Sequence, residues 1–482
     1  MKRILTILLS AITLCTHAQN FDQYFEDKTL RLDYILAGDA NEQHIYLEEM
    51  MQQSKWAGRR NRLAEKFLNG NGQLVVRDHE TQEIIYIWTF STLFQEWLQY
   101  DEAKKVKKAF EASYNVPFPK APVDITITLT DNHGKVTTEL THSVDPKDIL
   151  IRRIGDNGIP FHYVWKGNNT STPKETEDVL NKTNNSSKPI KRNYVYTEYN
   201  PMEGVNIENC VDLAIVAEGY TEAQMGKFYN DCQRAIDALF AREPFKSLKN
   251  RFNVVAVAAP SQDAGPSVPH TGVWKRGTSG AHYDTFYSDR YLTTSAVHKL
   301  FDLLSGVPFE HIIVLINTSR YGGGGIYNQW MCSSSDHATF KQVLVHEFEH
   351  SYAGLADEYN YGDNHVEWYP ADTEPWEPNI TTLKDFNKKW KDLIAPGTPI
   401  PTTTNNNQQT SRPTNTQQGG TREDLNAKTK RVGVFEGAGY MARGAYRPAE
   451  LCRMNVNEVE DFCPVCTRAI IQITDFYTGT VK

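Results

Sequence analysis

The sequence lacks a long hydrophobic run and an excess of basic residues. A membrane-spanning helix needs about 20 apolar residues, and the apolar stretch near the N-terminus covers only residues 4–14. A multispan membrane protein is therefore excluded. Lysine and arginine number 51 against 59 aspartates and glutamates, which gives a formal net charge of −8. Nucleic-acid binding is not expected, because it requires a basic surface.

The remaining composition is that of a soluble globular protein. The chain has 482 residues, of which 40% are hydrophobic and 11% aromatic, enough to build sizeable cores. Its length exceeds that of one ordinary domain and predicts two or three. Wholesale disorder and collagen-like structure are excluded.

Residues 1–18 predict a cleaved signal peptide. Lys2 and Arg3 precede the apolar stretch, and small residues follow at Thr16 and Ala18, where a signal peptidase cuts. We expect a secreted, periplasmic or cell-surface protein with no transmembrane segment after cleavage. Six cysteines would remain, and an oxidising compartment permits disulfides among them.

The first half of the chain predicts an all-β, sandwich-like N-terminal domain over residues 19–165. Period-two alternation of apolar residues, interrupted by turn sequences, is typical of antiparallel strands. A polar linker is expected at 166–205, and a second polar tract at 401–420 is expected to be an exposed loop. The predicted strands are 29–36, 73–77, 84–90, 123–130 and 136–142.

The second half, residues 206–482, predicts an α/β domain. Residues 211–218 and 252–258 are apolar enough for strands buried on both faces. A capping box at 221–224 begins a helix between them, and residues 294–304 predict a helix before a strand at 312–317. Strands alternating with helices favour an α/β layer.

One helix contains the residues with the clearest chemistry. A second capping box at 339–342 and apolar residues at helical spacing predict a helix over 340–353. His346 and His350 lie one turn apart on it, so both imidazoles can reach one cation at about 2.1 Å. Glu347 stands beside the first histidine, where its carboxylate can accept a proton from a metal-activated water.

A third metal ligand is expected just after this helix. Gly354 can end the helix in a left-handed conformation, and the reversed chain would bring Asp357 back to the metal. The adjacent Glu358 is the alternative, because a slip of one residue would exchange them. Three protein ligands with an open fourth position are typical of a catalytic zinc site.

Residues 346–359 resemble the zinc motif of the IgA peptidase family of secreted metalloendopeptidases, a group similar to the metzincins. The likeness extends over 211–466 and includes the segments 218–221, 436–440, 452–454 and 463–466. It implies a metzincin-like α/β zinc-protease domain with one catalytic Zn²⁺, held by His346, His350 and Asp357, with Glu347 as the catalytic base. The metzincin pattern differs, with glycine three residues after the second histidine and a third histidine three further on.

Further candidate residues lie near the C-terminus. Met454 resembles the methionine turn beneath the metal of metzincins, and Met441 is the competing candidate. Tyr440 is a candidate hydrogen-bond donor to the oxyanion of the transition state, against the alternative of a tyrosine buried in a glycine-rich turn. Cys463 and Cys466 form a C-x-x-C pair that fits a redox pair or half of a structural zinc site. Because there is no second such pair, structural disulfides involving Cys452, Cys463 or Cys466 are favoured.

The glycine-rich residues 321–325 precede the zinc helix. They lack the lysine of a phosphate-binding loop. Residues 326–329 predict a strand that can pair with an extended peptide, and a flexible turn is the alternative.

These features together predict a secreted zinc-dependent endopeptidase that acts on extracellular proteins or peptides. Immunoglobulin A is a substrate by resemblance only. The alternatives are a secreted binding protein, for host protein or glycan, with a vestigial zinc site, and a zinc amidase or esterase that acts on small molecules.

Overall fold

The computed structural model describes residues 20–155, 157–168, 204–362, 367–403 and 422–479. The expected signal peptide, most of the linker and most of the 401–420 tract lie outside them. The strands are β1 (Phe25–Gly38), β2 (Gln43–Gln53), β3 (Gly72–Asp78), β4 (Ile84–Phe90), β5 (Lys108–Pro119), β6 (Val123–Thr130), β7 (Val136–Val144), β8 (Arg152–Arg153), β9 (Phe161–Trp165), β10 (Val211–Glu218), β11 (Phe252–Val257), β12 (His311–Ile316), β13 (Gly323–Gly325), β14 (Trp330–Ser334), β15 (Phe435–Ala438) and β16 (Met441–Arg447). The α-helices are α1 (Phe21–Tyr24), α2 (Leu93–Trp97), α3 (Met225–Leu239), α4 (Phe245–Leu248), α5 (Val297–Leu303), α6 (Phe340–Ala353), α7 (Arg422–Lys430) and α8 (Pro464–Thr478).

The first half of the chain forms two four-stranded sheets, with strand orders β5-β1-β2-β8 and β4-β3-β6-β7. Side chains from both sheets share one hydrophobic core. In β6 every second residue is buried, as expected for a strand with one face on the core. The predicted sandwich-like arrangement is therefore present, and all five predicted strands lie within observed ones.

The outer face of β1 is also buried, because it packs on the second half of the chain. Arg31, which is fully buried, donates to Asp33 at 2.8 Å and to Asp302 at 2.7 Å. Asp302 belongs to α5, so this charged cluster joins the halves. A buried charge is tolerated only when it is paired in this way.

The second half is built on a six-stranded sheet of order β13-β14-β12-β10-β11-β9. The four inner strands run parallel, and β13 and β9 are antiparallel edge strands. Helices α3, α4, α6 and α8 pack on one face. The other face is covered by α5 and by Leu93 from the first half, so the sheet is buried on both sides.

The structure differs from the sequence predictions in several places. Strands β2 and β5 were not predicted. Strand β9, which the prediction placed in the N-terminal domain, pairs with β11 in the second sheet. The predicted helix at 294–304 is shorter in the structure, where it is limited to α5. The Thr339 side chain makes no capping bond to α6, because its hydroxyl bonds His337 instead.

Among the described helices, none has both the length and the hydropathy needed to cross a bilayer.

Candidate metal centre

Helix α6 presents two histidines toward one point. Its bounds agree with the predicted helix, and Phe348 and Tyr352 bury its opposite face in the core. His346 and His350, one turn apart, have their Nε2 atoms 3.1 Å apart. This separation lets both nitrogens contact a single ion.

The turn after α6 brings Asp357 to the histidines. Gly354 ends the helix at φ 60°, a left-handed conformation that glycine adopts without the steric cost of a Cβ atom. Asp357 Oδ1 lies 2.9 Å from His346 Nε2 and 3.4 Å from His350 Nε2. Two imidazoles and one carboxylate thus converge as the sequence predicts, although their role as ligands stays a prediction.

Hydrogen bonds on the far side of each ring fix its orientation. His346 Nδ1 lies 3.2 Å from the carbonyl oxygen of Arg453, and His350 Nδ1 lies 2.5 Å from that of Leu355. A carbonyl only accepts, so each Nδ1 carries the proton and donates it. The Nε2 atoms are then directed at each other and at Asp357, so one cation that displaces the proton between them could contact all three groups. Such outer hydrogen bonds are typical of metal-bound histidines.

The charges of this cluster depend strongly on one another. Burial raises the pKa of Asp357, but the neighbouring imidazoles outweigh burial and hold the pKa well below its usual range. Burial lowers the pKa of His350, but Asp357 outweighs it and raises the pKa to about 9. The carboxylate is therefore anionic and attracts positive charge to this point.

Glu347 lies beside the histidines, against the glycine strand β13. A Cβ atom on Gly323 would lie 2.8 Å from Glu347 Cγ, and one on Gly325 would lie 2.3 Å from the Glu347 carbonyl oxygen. Only glycine lets β13 approach so closely. Burial raises the pKa of Glu347, and the neighbouring His346 and His350 partly oppose this rise.

The predicted strand at 326–329 is wrong. Those residues form a turn, and the preceding Gly323–Gly325 form the strand β13.

Tyr440 reaches the cluster from a tight turn, at φ 66°. Its hydroxyl donates to Asp357 Oδ2 at 2.5 Å, and its ring stacks on Tyr361. Burial raises the pKa of Tyr440 well above its usual value, so the hydroxyl stays protonated. In this structure it holds Asp357; its predicted role at an oxyanion stays a prediction.

Met454 and Met441 occupy different surroundings. Met454 is fully buried in the main core, and its carbonyl oxygen accepts from the Glu358 backbone N–H at 2.8 Å. Met441 packs with Ala356 in a smaller cluster. The methionine that resembles the metzincin turn therefore lies next to the chain segment that carries Asp357.

Glu358 turns away from the histidines. Its Oε1 atom accepts from Asn379 at 3.0 Å and lies 3.1 Å from Cys466 Sγ. Asp357 and Glu358, between which the sequence left the third ligand open, thus belong to two different clusters. The expected disulfides are absent: Cys452, Cys463 and Cys466 are not disulfide-bonded and meet with Glu358.

The histidine cluster opens into a groove between the two halves of the chain. The cavity has a volume of about 1450 Å³ and is lined by His346, Glu347 and Tyr440 on one side. Helix α2 of the first half contributes Glu96, which accepts from the Tyr291 hydroxyl at 2.6 Å. Burial raises the pKa of Glu96 to about 7. No sequence motif marks Glu96 or Tyr291, because the fold alone brings them here.

Comparison with known families gives matches in both halves. The model of the family described as IgA Peptidase M64 matches residues 202–430 and 421–474. A model described as Peptidase M64 N-terminus matches residues 20–141. No curated protein matches the chain.

Proposed function

Because this chain belongs to the IgA peptidase M64 family and is therefore a metallopeptidase, we propose that it is an exported zinc-dependent endopeptidase of extracellular proteins. The observation that carries this proposal is the convergence of His346, His350 and Asp357 beside Glu347, where all four residues line the groove. Export rests on the N-terminal sequence pattern.

The donor set supports zinc as the metal. Two imidazole nitrogens and one carboxylate oxygen are ligands that zinc accepts, and three protein ligands leave room for water or substrate. When bound, a zinc ion would polarise the scissile carbonyl and lower the pKa of the attacking water. Asp357 would supply negative charge, and the Nδ1 bonds of His346 and His350 would hold the rings in place.

Glu347 is the proposed general base. Its carboxylate would accept a proton from the attacking water and pass it to the nitrogen of the leaving amine. Burial raises its pKa, which makes it a stronger proton acceptor than an exposed glutamate. Tyr440 would act at the same centre, either by holding Asp357 or by turning to donate to the oxyanion of the transition state.

The groove supports a polypeptide substrate over a small molecule. Sites for small molecules enclose roughly 300–1,000 Å³, and this cavity reaches about 1450 Å³. The glycine strand β13 borders the groove next to Glu347, although Gly323 O already accepts from the Leu292 N–H at 3.3 Å. An extended peptide could pair with the part of this edge beyond Gly323.

The proposal is tested with Glu347→Gln, assayed on a mixture of extracellular proteins in which new termini are identified by mass spectrometry. The variant should keep its zinc and lose activity by about 10²–10⁴-fold, as expected for removal of a general base. Glu349→Gln is the matched control, because Glu349 lies on the same helix, is fully buried and has no hydrogen-bond partner for its carboxylate among the described residues.

Two outcomes would contradict the proposal. Equal cleavage by wild type and Glu347→Gln, both with zinc bound, would exclude Glu347 as the base. A zinc-loaded wild type that binds proteins without cleaving them would favour a binding protein with a vestigial site. Immunoglobulin A is assayed separately, as one candidate among the extracellular proteins.

A further inference from the structure

A second group of metal-ligating side chains lies next to the candidate metal centre. Glu358, Cys452, Cys463 and Cys466 are all buried, and their ligand atoms lie within 4.8 Å of one another. None of them lines the groove. Glu358 directly follows Asp357, so consecutive residues contribute to the two groups.

The spacing of these atoms fits a tetrahedral metal site better than a disulfide. Zinc–sulfur bonds of about 2.3 Å in a tetrahedron place two sulfurs about 3.8 Å apart. Cys452 Sγ and Cys466 Sγ are 3.8 Å apart. A disulfide requires about 2.05 Å between sulfurs, so this pair would have to move much closer to form one.

The local backbone partly offsets burial, which raises the pKa of the Cys452 and Cys466 thiols. Cys463 is the N-cap of α8, and Cys466 lies in its first turn. The N-terminus of a helix carries partial positive charge and stabilises thiolates. Cys452 Sγ also accepts from the Cys463 backbone N–H, at 3.3 Å. A C-x-x-C pair at a helix start, with a third cysteine against it, is an arrangement used in structural zinc sites.

Glu358 gives an independent indication of a cation-binding site. Its side chain is fully buried, and its Oε2 atom has no hydrogen-bond partner among the described residues. Burial of a carboxylate oxygen that accepts no hydrogen bond is costly. Two buried arginines interact electrostatically with the group, Arg447 with Glu358 and Arg453 with Cys452, but neither makes a hydrogen bond to the Oε2 atom.

We propose that Glu358, Cys452, Cys463 and Cys466 bind a second zinc ion, with a structural role. The thiols lose their protons to solvent on binding, so three sulfurs and one carboxylate oxygen complete the coordination. Four protein ligands leave no position for water, which is typical of structural zinc sites.

This second ion would stabilise the segments around the first. Glu358 lies one peptide bond from Asp357, and its backbone N–H donates to Met454 O. Cys452 is adjacent to Arg453, whose carbonyl oxygen faces His346 Nδ1. Fixing the cysteine group therefore fixes the backbone on both sides of the histidine cluster.

The test uses the full chain, stripped of metal and reloaded with cobalt(II). Wild type should bind two cobalt ions per chain and show the near-ultraviolet charge-transfer band of thiolate–cobalt bonds. Cys466→Ser should lose one ion and most of the band, and Glu358→Gln should lose cobalt affinity. Cys332→Ser is the control, because Cys332 lies in another core, and it should keep both ions.

His350→Ala separates this proposal from the proposed function. That variant should lose one ion and keep the thiolate band, whether or not the histidine cluster is catalytic. A wild type that binds cobalt with no thiolate band would overturn the second site. A disulfide among the three cysteines would also overturn the second site. It is detected by the mass and the thiol count of the denatured, unreduced wild-type chain, a measurement that does not depend on any variant.

Discussion

The two clusters around residues 357 and 358 differ in access and in ligand chemistry. The histidine cluster uses nitrogen and oxygen atoms and opens into the groove, where 15% of the His350 side chain is exposed. The cysteine cluster uses mainly sulfur, and all four of its residues are buried. Two adjacent acidic residues thus lie in different surroundings, because the chain directs the Asp357 side chain to the groove and the Glu358 side chain into the core.

Under the two proposals made above, one short segment combines reactivity with rigidity. A catalytic metal needs an open position for water, which leaves its surroundings less densely packed. A closed site beside it can supply the lost rigidity without touching the substrate. The following four variants test this division, from the largest expected effect to the smallest.

Cys452→Ser should mainly destabilise the protein. Loss of a structural metal ligand is one of the few changes that can lower the free energy of unfolding by about 4 kcal/mol or more. Chemical denaturation measures the change, with Cys332→Ser as control, since its hydroxyl keeps Thr293 as a nearby partner. Equal stability of the two variants would mean that the cysteine cluster has no structural ion.

Asp357→Asn should mainly lower activity. The amide keeps the size of the side chain but removes the negative charge next to the histidines, so zinc affinity and kcat/KM should both fall by more than about 100-fold. Loss of a residue that only hydrogen-bonds a metal ligand lowers affinity or activity by at most about 100-fold. The unfolding midpoint should change little in comparison with Cys452→Ser. A variant that keeps full zinc affinity would remove Asp357 from the ligand set.

Asn379→Ala should affect both clusters, because this side chain bonds the residues on either side of Asp357 in the chain. It bonds the backbone N–H and carbonyl of Ala356, at 2.8 and 2.9 Å, and also Glu358. Loss of these buried bonds should cost about 2 kcal/mol of stability, and kcat/KM should fall with it. If stability falls and the pre-loaded enzyme keeps its full kcat, the two clusters are not coupled through this segment.

Tyr440→Phe should give the smallest effect. Removing the hydroxyl frees Asp357 Oδ2 and should lower kcat about tenfold, in the range for loss of an outer hydrogen bond to a ligand, with zinc content unchanged. Tyr361→Phe is the control, since Tyr361 contacts Tyr440 through its ring. A loss of kcat near 10³-fold instead would favour direct donation to the transition state.

The sequence predicted the helix of the histidine cluster well, because several local signals agree there. Apolar spacing and Gly354 determine the bounds of α6 even though the expected capping box at Thr339 does not form. The convergence of Asp357 with the histidines was also predicted, since a left-handed glycine reverses the chain over a short distance.

What the sequence did not reveal depends on contacts between distant segments. Strand β2 is rich in polar residues and lies beside β1, so alternation is weak. Glu96 enters the groove only because the halves pack together. Cysteine spacing favoured disulfides, whereas the partner that matters for Cys466, Glu358, lies 108 residues away in the chain.

Contacts between the two halves of the chain limit where the protein can be truncated. Leu93 and Phe110 of the first half cover one face of the six-stranded sheet, and Asn328 donates to the Thr89 carbonyl at 2.7 Å. A truncated fragment that starts at the peptidase segment would expose this apolar face and lack one side of its cleft. Such a fragment would aggregate on expression, so work on this enzyme should begin from both halves together.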